Sequence, residues 1–223
     1  MATEKLSIGI IGGSGHEGSG LALRWAAAGH DVIIGSRSAE KAQEAAQKLN
    51  ALLAGRGQLR GGSNADAAAQ AIVVLSVPFA AQRATAEALR EQLAGKILID
   101  VTAPLVPPKV SRVQLPTGGS AVAALQSALG DAVKVVSAFQ NVSATHLQDL
   151  AHDVDCDVLV CGDDAAACDT VIGLARDAGM RGWFAGALAN SAAAEALTSV
   201  LIAINRRYKV PGAGIRITGV PRD

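Results

Sequence analysis

The stretch Ile8-Gly9-Ile10-Ile11-Gly12-Gly13-Ser14-Gly15-His16-Glu17-Gly18-Ser19-Gly20 runs from a short apolar segment straight into a ladder of glycines that opens a helical pattern. Gly13, Gly15 and Gly18 fit G-x-G-x-x-G. The first glycine permits a tight turn, the second a close approach of backbone to a pyrophosphate, and the third the packing of helix on strand. The free N–H groups and positive dipole end of that helix complete a seat for an anion. A glycine-rich turn with no ligand would have the same letters, so the next strand has to decide.

Asp31-Val32-Ile33-Ile34-Gly35 ends in Ser36-Arg37. A fold that accepts bonds from a bare ribose 2′-hydroxyl carries Asp or Glu there, about 20 positions past the glycines. Arg37 instead offers a planar fork suited to a phosphate, Ser36 a hydroxyl donor, and Lys41, one helical turn on, a point charge. Cations in the first turn of a helix oppose its dipole, which favours a ligand as their reason. The pocket is expected to prefer NADP to NAD.

A chain of 223 residues can bury one sizeable core. Half of it is apolar but only 3% is aromatic, so that core must be built from Ala, Val, Leu and Ile. Twenty basic against twenty acidic residues argue against nucleic acid or a membrane surface as partner and leave small molecules. Zero formal charge with a mean hydropathy of +0.29 points to a homo-oligomer, most simply a homodimer. Cys156, Cys161 and Cys168 match no zinc or redox spacing and read as small hydrophobes in a reducing cytoplasm. Met1 to Ser7 is too short and polar for a signal peptide, and no uninterrupted apolar run approaches the roughly 20 residues a bilayer needs.

The pattern predicts helices over 17–28, 38–53, 78–93, 120–129, 144–152, 165–178 and 188–207, with a brief one from Ser63 or Asn64 through Ala71. Strands are expected at 8–11, 31–35, 59–60, 72–77, 97–101, 133–138, 158–161 and 180–184, and an extended segment at 215–218. Continuous β-branched runs such as Ile72-Val73-Val74-Leu75 suit parallel strands covered on both faces. Alternation of strand and helix then gives an α/β fold of the Rossmann type, doubly wound on a mainly parallel sheet with a C-terminal helical extension. Residues 1–184 are expected to form the NADP-binding domain. Residues 185–223 should form a long helix and tail on the same core. That helix is apolar on two sides, with Leu197, Val200, Leu201 and Ile204 on one and Ala194, Thr198 and Ile202 on the other, which predicts packing against a partner subunit as well.

Ligands in such sheets sit at the carboxyl ends of the strands, which brings Ser76, Val77, Pro78 and Thr102 beside the glycine turn. Residues 102–119 hold four of the seven prolines and are expected to be a lid or a binding wall.

Six stretches together resemble the F420-dependent NADP oxidoreductase family. They are Gly12-Gly13-Ser14-Gly15, Val32-Ile33-Ile34-Gly35-Ser36-Arg37, Pro104-Leu105-Val106-Pro107, Val135-Val136-Ser137-Ala138, Val160-Cys161-Gly162-Asp163-Asp164 and Ala189-Asn190-Ser191. The resemblance covers nearly the whole chain. It implies hydride passage between NADPH and the deazaflavin coenzyme F420, with NADP contacts at Ser14, His16, Glu17, Ser36, Arg37, Lys41 and the Val77-Pro78 corner. After Ser137-Ala138 the family carries a His and then Ile-Pro against the acceptor ring, where this chain has Gln140-Asn141-Val142-Ser143. The Asn-Val-Ser-Ala step is similar to the matching segment in the reductase domain of six-transmembrane metalloreductases, which work with a flavin.

Hydride transfer between two planar rings needs stacking at van der Waals contact and little acid or base chemistry. Accordingly no Ser-His-Asp, Cys-His, paired-carboxylate or metal-ligating constellation is expected. Gln140, Asn141 and Val142 are the expected acceptor wall. An F420 reductase, an NADPH-dependent flavin or metal reductase, and a non-catalytic NADP-binding module are the readings left open.

Overall fold

The computed structural model describes residues 5–220; the outermost ends of both expected domains lie outside the described residues. Eight strands form the sheet: β1 (Ser7–Ile11), β2 (Asp31–Ser36), β3 (Leu59–Ser63), β4 (Ile72–Leu75), β5 (Ile97–Asp100), β6 (Lys134–Ser137), β7 (Asp157–Gly162) and β8 (Arg181–Phe184). Their spatial order is β3-β2-β1-β4-β5-β6-β7-β8. Every pairing is parallel except β6 with β7, where Val136 faces Gly162 and Ser137 faces Cys161. The chain winds outward from β1 in one direction and resumes at β4 in the other, so a crevice opens between the carboxyl ends of these two strands.

The helices are α1 (His16–Ala27), α2 (Ala39–Leu53), α3 (Asn64–Ala68), α4 (Phe79–Ala88), α5 (Arg90–Leu93), α6 (Ala121–Leu129), α7 (Ala144–Leu147), α8 (Ala165–Asp177) and α9 (Ser191–Tyr208), the last preceded by a 3-10 turn over Leu188–Asn190. Leu21 of α1, Ala42 of α2 and Val171 of α8 belong to the core on one face of the sheet. Ala67 of α3, Ala86 of α4 and Leu125 of α6 belong to that on the other. Both cores are aliphatic, as the composition requires. Trp25 and Phe139 are the exception: both fully buried, they meet edge to face with centroids 5.8 Å apart.

Two expected helices need correction. The predicted helix 78–93 is two helices, broken where Leu89 leaves the helical region (φ −115°, ψ 12°), and Pro78 is its N-cap rather than its first residue. The predicted helix 144–152 stops at Leu147. The reason lies on α1, where the buried Arg24 guanidinium points at the carbonyl oxygens of His146, Leu147, Asp149, His152 and Ala178 at 2.8–3.1 Å. Carbonyls turned inward to one cation are not free to continue a helical ladder. Residues 215–218, expected as an extended segment, carry no strand assignment but bond to the start of β7: the Ile215 carbonyl accepts from Asp157 N–H at 2.8 Å, and Ile217 N–H donates to the Asp157 carboxylate at 2.7 Å.

The segment Leu188–Tyr208 is long and apolar enough to cross a membrane by length and composition, contrary to the reading of the bare sequence. Glu195 near its middle gives it another role. Its buried carboxylate accepts from the N–H groups of Ala121 (2.8 Å) and Val122 (3.2 Å) and from the Ser120 hydroxyl (2.7 Å). It thus caps α6 in trans and holds α9 onto the fold as a core helix.

Candidate active site

The glycine turn is built by three different constraints. Gly12 has φ +73°, and a Cβ there would lie 2.5 Å from the Ser76 carbonyl oxygen. Gly13 N–H donates to Gly35 O at 3.0 Å, and a Cβ on Gly13 would come within 2.7 Å of the Ile34 Cβ. A Cβ on Gly18 would come within 2.9 Å of Gly13 Cα and 3.0 Å of Ser76 Oγ. The left-handed turn therefore falls at Gly12, one residue before the first glycine of the motif, while Gly13 and Gly18 serve packing. A Cβ on Gly15 would meet only Gly12 O, at 3.4 Å, so this is the glycine with its face open. Gly15 is also the N-cap of α1, with no side-chain cap on that helix end, which leaves its first-turn N–H groups available to an anion.

Beside this turn β2 ends at Ser36. Ser36 is half-buried, with its Oγ accepting from Ser38 N–H at 3.4 Å, while Arg37 and Lys41 are exposed at the start of α2. Neither cation takes part in an ion pair among the described residues. Ser14 is exposed on the turn.

From Gly15, His16 and Glu17 a cleft of about 780 Å³ runs past Ser76, Val77 and Pro78 to Gln140, Asn141 and Val142. It brings together two groups of predicted residues that lie over 60 positions apart. Leu105, Pro107 and Val110 of the proline-rich loop form part of its wall, as expected of that loop. The far side comes from α9 through Thr198, Leu201, Ile202 and Asn205. Sequence reasoning missed these four; Thr198 and Ile202 were assigned to a subunit contact. Their helical spacing was visible, but the element that covers each side of a doubly apolar helix is set by tertiary structure.

The acceptor wall is held by hydrogen bonds that fix which way its amides face. Gln140 Nε2 donates to the Asp100 carbonyl oxygen (2.8 Å) and to Ser137 Oγ (2.9 Å). Asn141 Nδ2 donates to the Asp157 carbonyl oxygen (2.7 Å). A carbonyl can only accept, so both amide nitrogens are committed inward and both amide oxygens are turned away from them. Phe139, at φ +73° and fully buried, makes the turn that presents the two amides. Beneath the wall the buried Asp100 carboxylate accepts from Thr102 N–H (2.8 Å) and from Gln82. Burial pushes its pKa up to about 6 against the opposing pull of those bonds.

Four buried side-chain polar atoms among the described residues lack a partner: Glu17 Oε1, Thr102 Oγ1, Gln140 Oε1 and Asn141 Oδ1. All four belong to residues of this one cleft. An unsatisfied buried polar atom costs about 1–3 kcal/mol, so their clustering makes this cleft the candidate site for ligand N–H or O–H groups. Glu17 is the most perturbed of them. No cation stands near enough to offset burial, which pushes its carboxyl from an ordinary 4.5 up to about 8.

A family model described as "NADP oxidoreductase coenzyme F420-dependent" matches residues 7–104. An F420-dependent NADP reductase of Methanocaldococcus jannaschii is 44% identical, over 96% of this chain and 99% of that protein. The metalloreductase STEAP3 of Rattus norvegicus is 31% identical over 93% of this chain but only 39% of its own length. Among solved structures, a protein described as a "putative f420 dependent nadp-reductase" from Arthrobacter sp. FB24 superposes with a TM-score of 0.77 at 28% identity, over 96% of this chain and 99% of that one.

Proposed function

Because the chain belongs to the family of F420-dependent NADP oxidoreductases, its reaction is hydride transfer between NADPH and F420, and we propose that this takes place in the cleft between the Val77-Pro78 corner and the Gln140-Asn141-Val142 wall. The observation that carries this placement is the set of four unpartnered polar atoms in one cleft that begins at the glycine turn. A nicotinamide carboxamide and the ring N–H of a deazaflavin are donors of the kind these acceptors lack.

In this reading Arg37, Lys41 and Ser36 take the 2′-phosphate, and the backbone from Gly13 through Gly18, with Ser14 and His16, takes the pyrophosphate. Ser76, Val77 and Pro78 form the platform for the nicotinamide. Val142 sets the floor against the acceptor ring, while Gln140 and Asn141 hold its polar edge. The protein's part is positioning: it stacks the two rings at contact distance and keeps water from between them.

Replacing Val142 with Trp tests the placement. Bulk there should leave the NADPH dissociation constant within about twofold, below roughly 0.5 kcal/mol, yet lower hydride transfer by orders of magnitude. Stopped-flow oxidation of NADPH by F420, and separately by FMN and FAD, reads which ring the wall fits. Unchanged F420 reduction in the variant moves the acceptor site elsewhere, and faster oxidation by a flavin favours the flavin reductase reading that the likeness to the metalloreductase supports.

We also propose a cytoplasmic homodimer joined through α9. Ile202 lines the cleft, so the contact face is the exposed side, Val200, Ile204 and Tyr208. Sedimentation of the Ile204→Glu variant as monomer, with wild type as dimer, is the expected result; monomeric wild type at micromolar concentration overturns it.

A further inference from the structure

Hydride transfer alone does not balance the reaction. NADPH gives up a hydride from a C–H bond, and the acceptor ring gains it at carbon. The ring becomes neutral and reduced only when a ring nitrogen also gains a proton. The sum is NADPH + F420 + H⁺ → NADP⁺ + F420H2, and the proton needs a source within reach of the ring nitrogen.

Glu17 is the one carboxyl among the described residues that lines the cleft. It sits in the first turn of α1, where the helix dipole would ordinarily favour a carboxylate. Yet its Oε1 is sealed from solvent and has no partner among the described residues. Burial outweighs the dipole, and the group holds its proton at neutral pH. The other titratable side chain lining the cleft is that of His16, which is exposed and has Nδ1 3.3 Å from Gln148 Nε2. Asp100 lies beneath the far wall, occupied by Gln82 and Thr102, and Arg24 spends its guanidinium on the carbonyls of 146–152 and 178.

We propose that Glu17 is the proton donor of the reaction, a role that rests on the reading of this cleft as the hydride-transfer site. When hydride leaves the nicotinamide, that ring becomes positively charged. A positive charge appearing in the same cleft favours the carboxylate form of Glu17. The O–H bond of Glu17 breaks, the N–H bond on the acceptor ring forms, and the carboxylate is left facing the oxidised nicotinamide. Water reprotonates it once the products leave. In the reverse direction the same carboxylate takes the proton back, as microscopic reversibility requires.

Glu17→Gln keeps the shape and neutrality of the acid and removes the transferable proton. Its melting temperature at pH 4.5, where the group is protonated in the folded protein and little of its linked stability has been lost, should match wild type, with Glu17→Leu as a second variant that also lacks the proton. Two measurements apply. NADP⁺ added to weakly buffered wild-type protein at pH 7 should release protons, and the Gln and Leu variants should release none. Wild-type F420 reduction should fall above about pH 8. The Gln variant should be slower by about 100-fold at pH 7, the scale of a lost general acid, and flat across that range. His16→Gln should keep both the proton release and the alkaline limb. Equal proton release and an unchanged pH profile in Glu17→Gln overturn the inference alone, as does transfer of both signatures to His16. Wild-type protein that binds NADPH but never passes hydride to F420 overturns the reading of the cleft beneath it.

Discussion

The Thr198 hydroxyl donates to the backbone carbonyl oxygen of Gln140 at 2.7 Å, tying α9 to the acceptor wall from 58 positions away. Gln140 is thus held from both sides, through its amide nitrogen on Asp100 and Ser137 and through its carbonyl on Thr198. Thr198→Val keeps the shape and removes one bond. It should cost about 1 kcal/mol of stability and slow F420 reduction by about fivefold, with NADPH affinity unmoved. Single-turnover rates alongside equilibrium titration would separate these effects.

Arg37→Ala should weaken NADPH binding by about 2 kcal/mol, roughly 30-fold, the value of one charge-assisted contact. NADH binding should hardly change, because Arg37 stands at the exposed start of α2, outside the cleft. Equal losses for both nucleotides in calorimetric titration would remove the 2′-phosphate assignment.

Gly15 and Gly13 should fail in opposite ways. Gly15→Val adds a side chain to an open face, so circular dichroism should be unchanged while NADPH no longer raises the melting temperature. Gly13→Ala forces a Cβ to 2.7 Å from the Ile34 Cβ and 2.9 Å from the Ile10 carbonyl oxygen. That variant should lose about 2 kcal/mol to overpacking before any ligand is added.

Arg24→Leu should destabilise the chain by about 3–5 kcal/mol, since it strips five inward carbonyls of their only cation. Hydrogen exchange should quicken at 146–152. Gln148, which grips His16 O at 3.0 Å and Ser19 Oγ at 2.9 Å, would be released from the first turn of α1.

The stability of the apo protein carries a pH signature of Glu17. Its pKa is about 8 when folded against an ordinary 4.5, so between those values the folded state binds more protons than the unfolded one, and the stability this group supplies below pH 4.5 is lost as pH rises through 8. Glu17→Gln removes that loss. The variant should gain about 3 kcal/mol over wild type on going from pH 4.5 to pH 8, short of the full ~5 kcal/mol because the side chain keeps partial contact with solvent. Urea midpoints of both proteins at the two pH values measure it; a parallel decline refutes it.

Much of this architecture can be read locally. Ile8, Ile10, Ile72, Val73 and Val74 announce buried parallel strands, and Ser36-Arg37 at the end of β2 stands in the chain where it stands in space. What escaped the sequence depends on partners far along it. Nothing near residue 148 signals that Arg24 will end a helix there, since the two are over 120 positions apart. Neighbouring glycines did not reveal that Gly12 rather than Gly13 carries the positive φ, with the Ser76 carbonyl standing where a Gly12 side chain would go, because Ser76 lies over 60 positions along the chain. The side of α9 that faces the cleft followed from Glu195, a charge inside an apolar helix whose bond to the end of α6 fixes the helix's rotation.

The reversal of strand direction between β6 and β7 gives the chain a seam. Residues 7–104, which the family model matches, carry β1 to β5 and the phosphate turn, while the segment at 140–142 and the cleft face of α9 come from the chain beyond them. The side-chain amides of Gln140 and Asn141 bond to residues 100, 137, 156 and 157, so a change there reaches the cleft without breaking a hydrogen bond of the glycine turn.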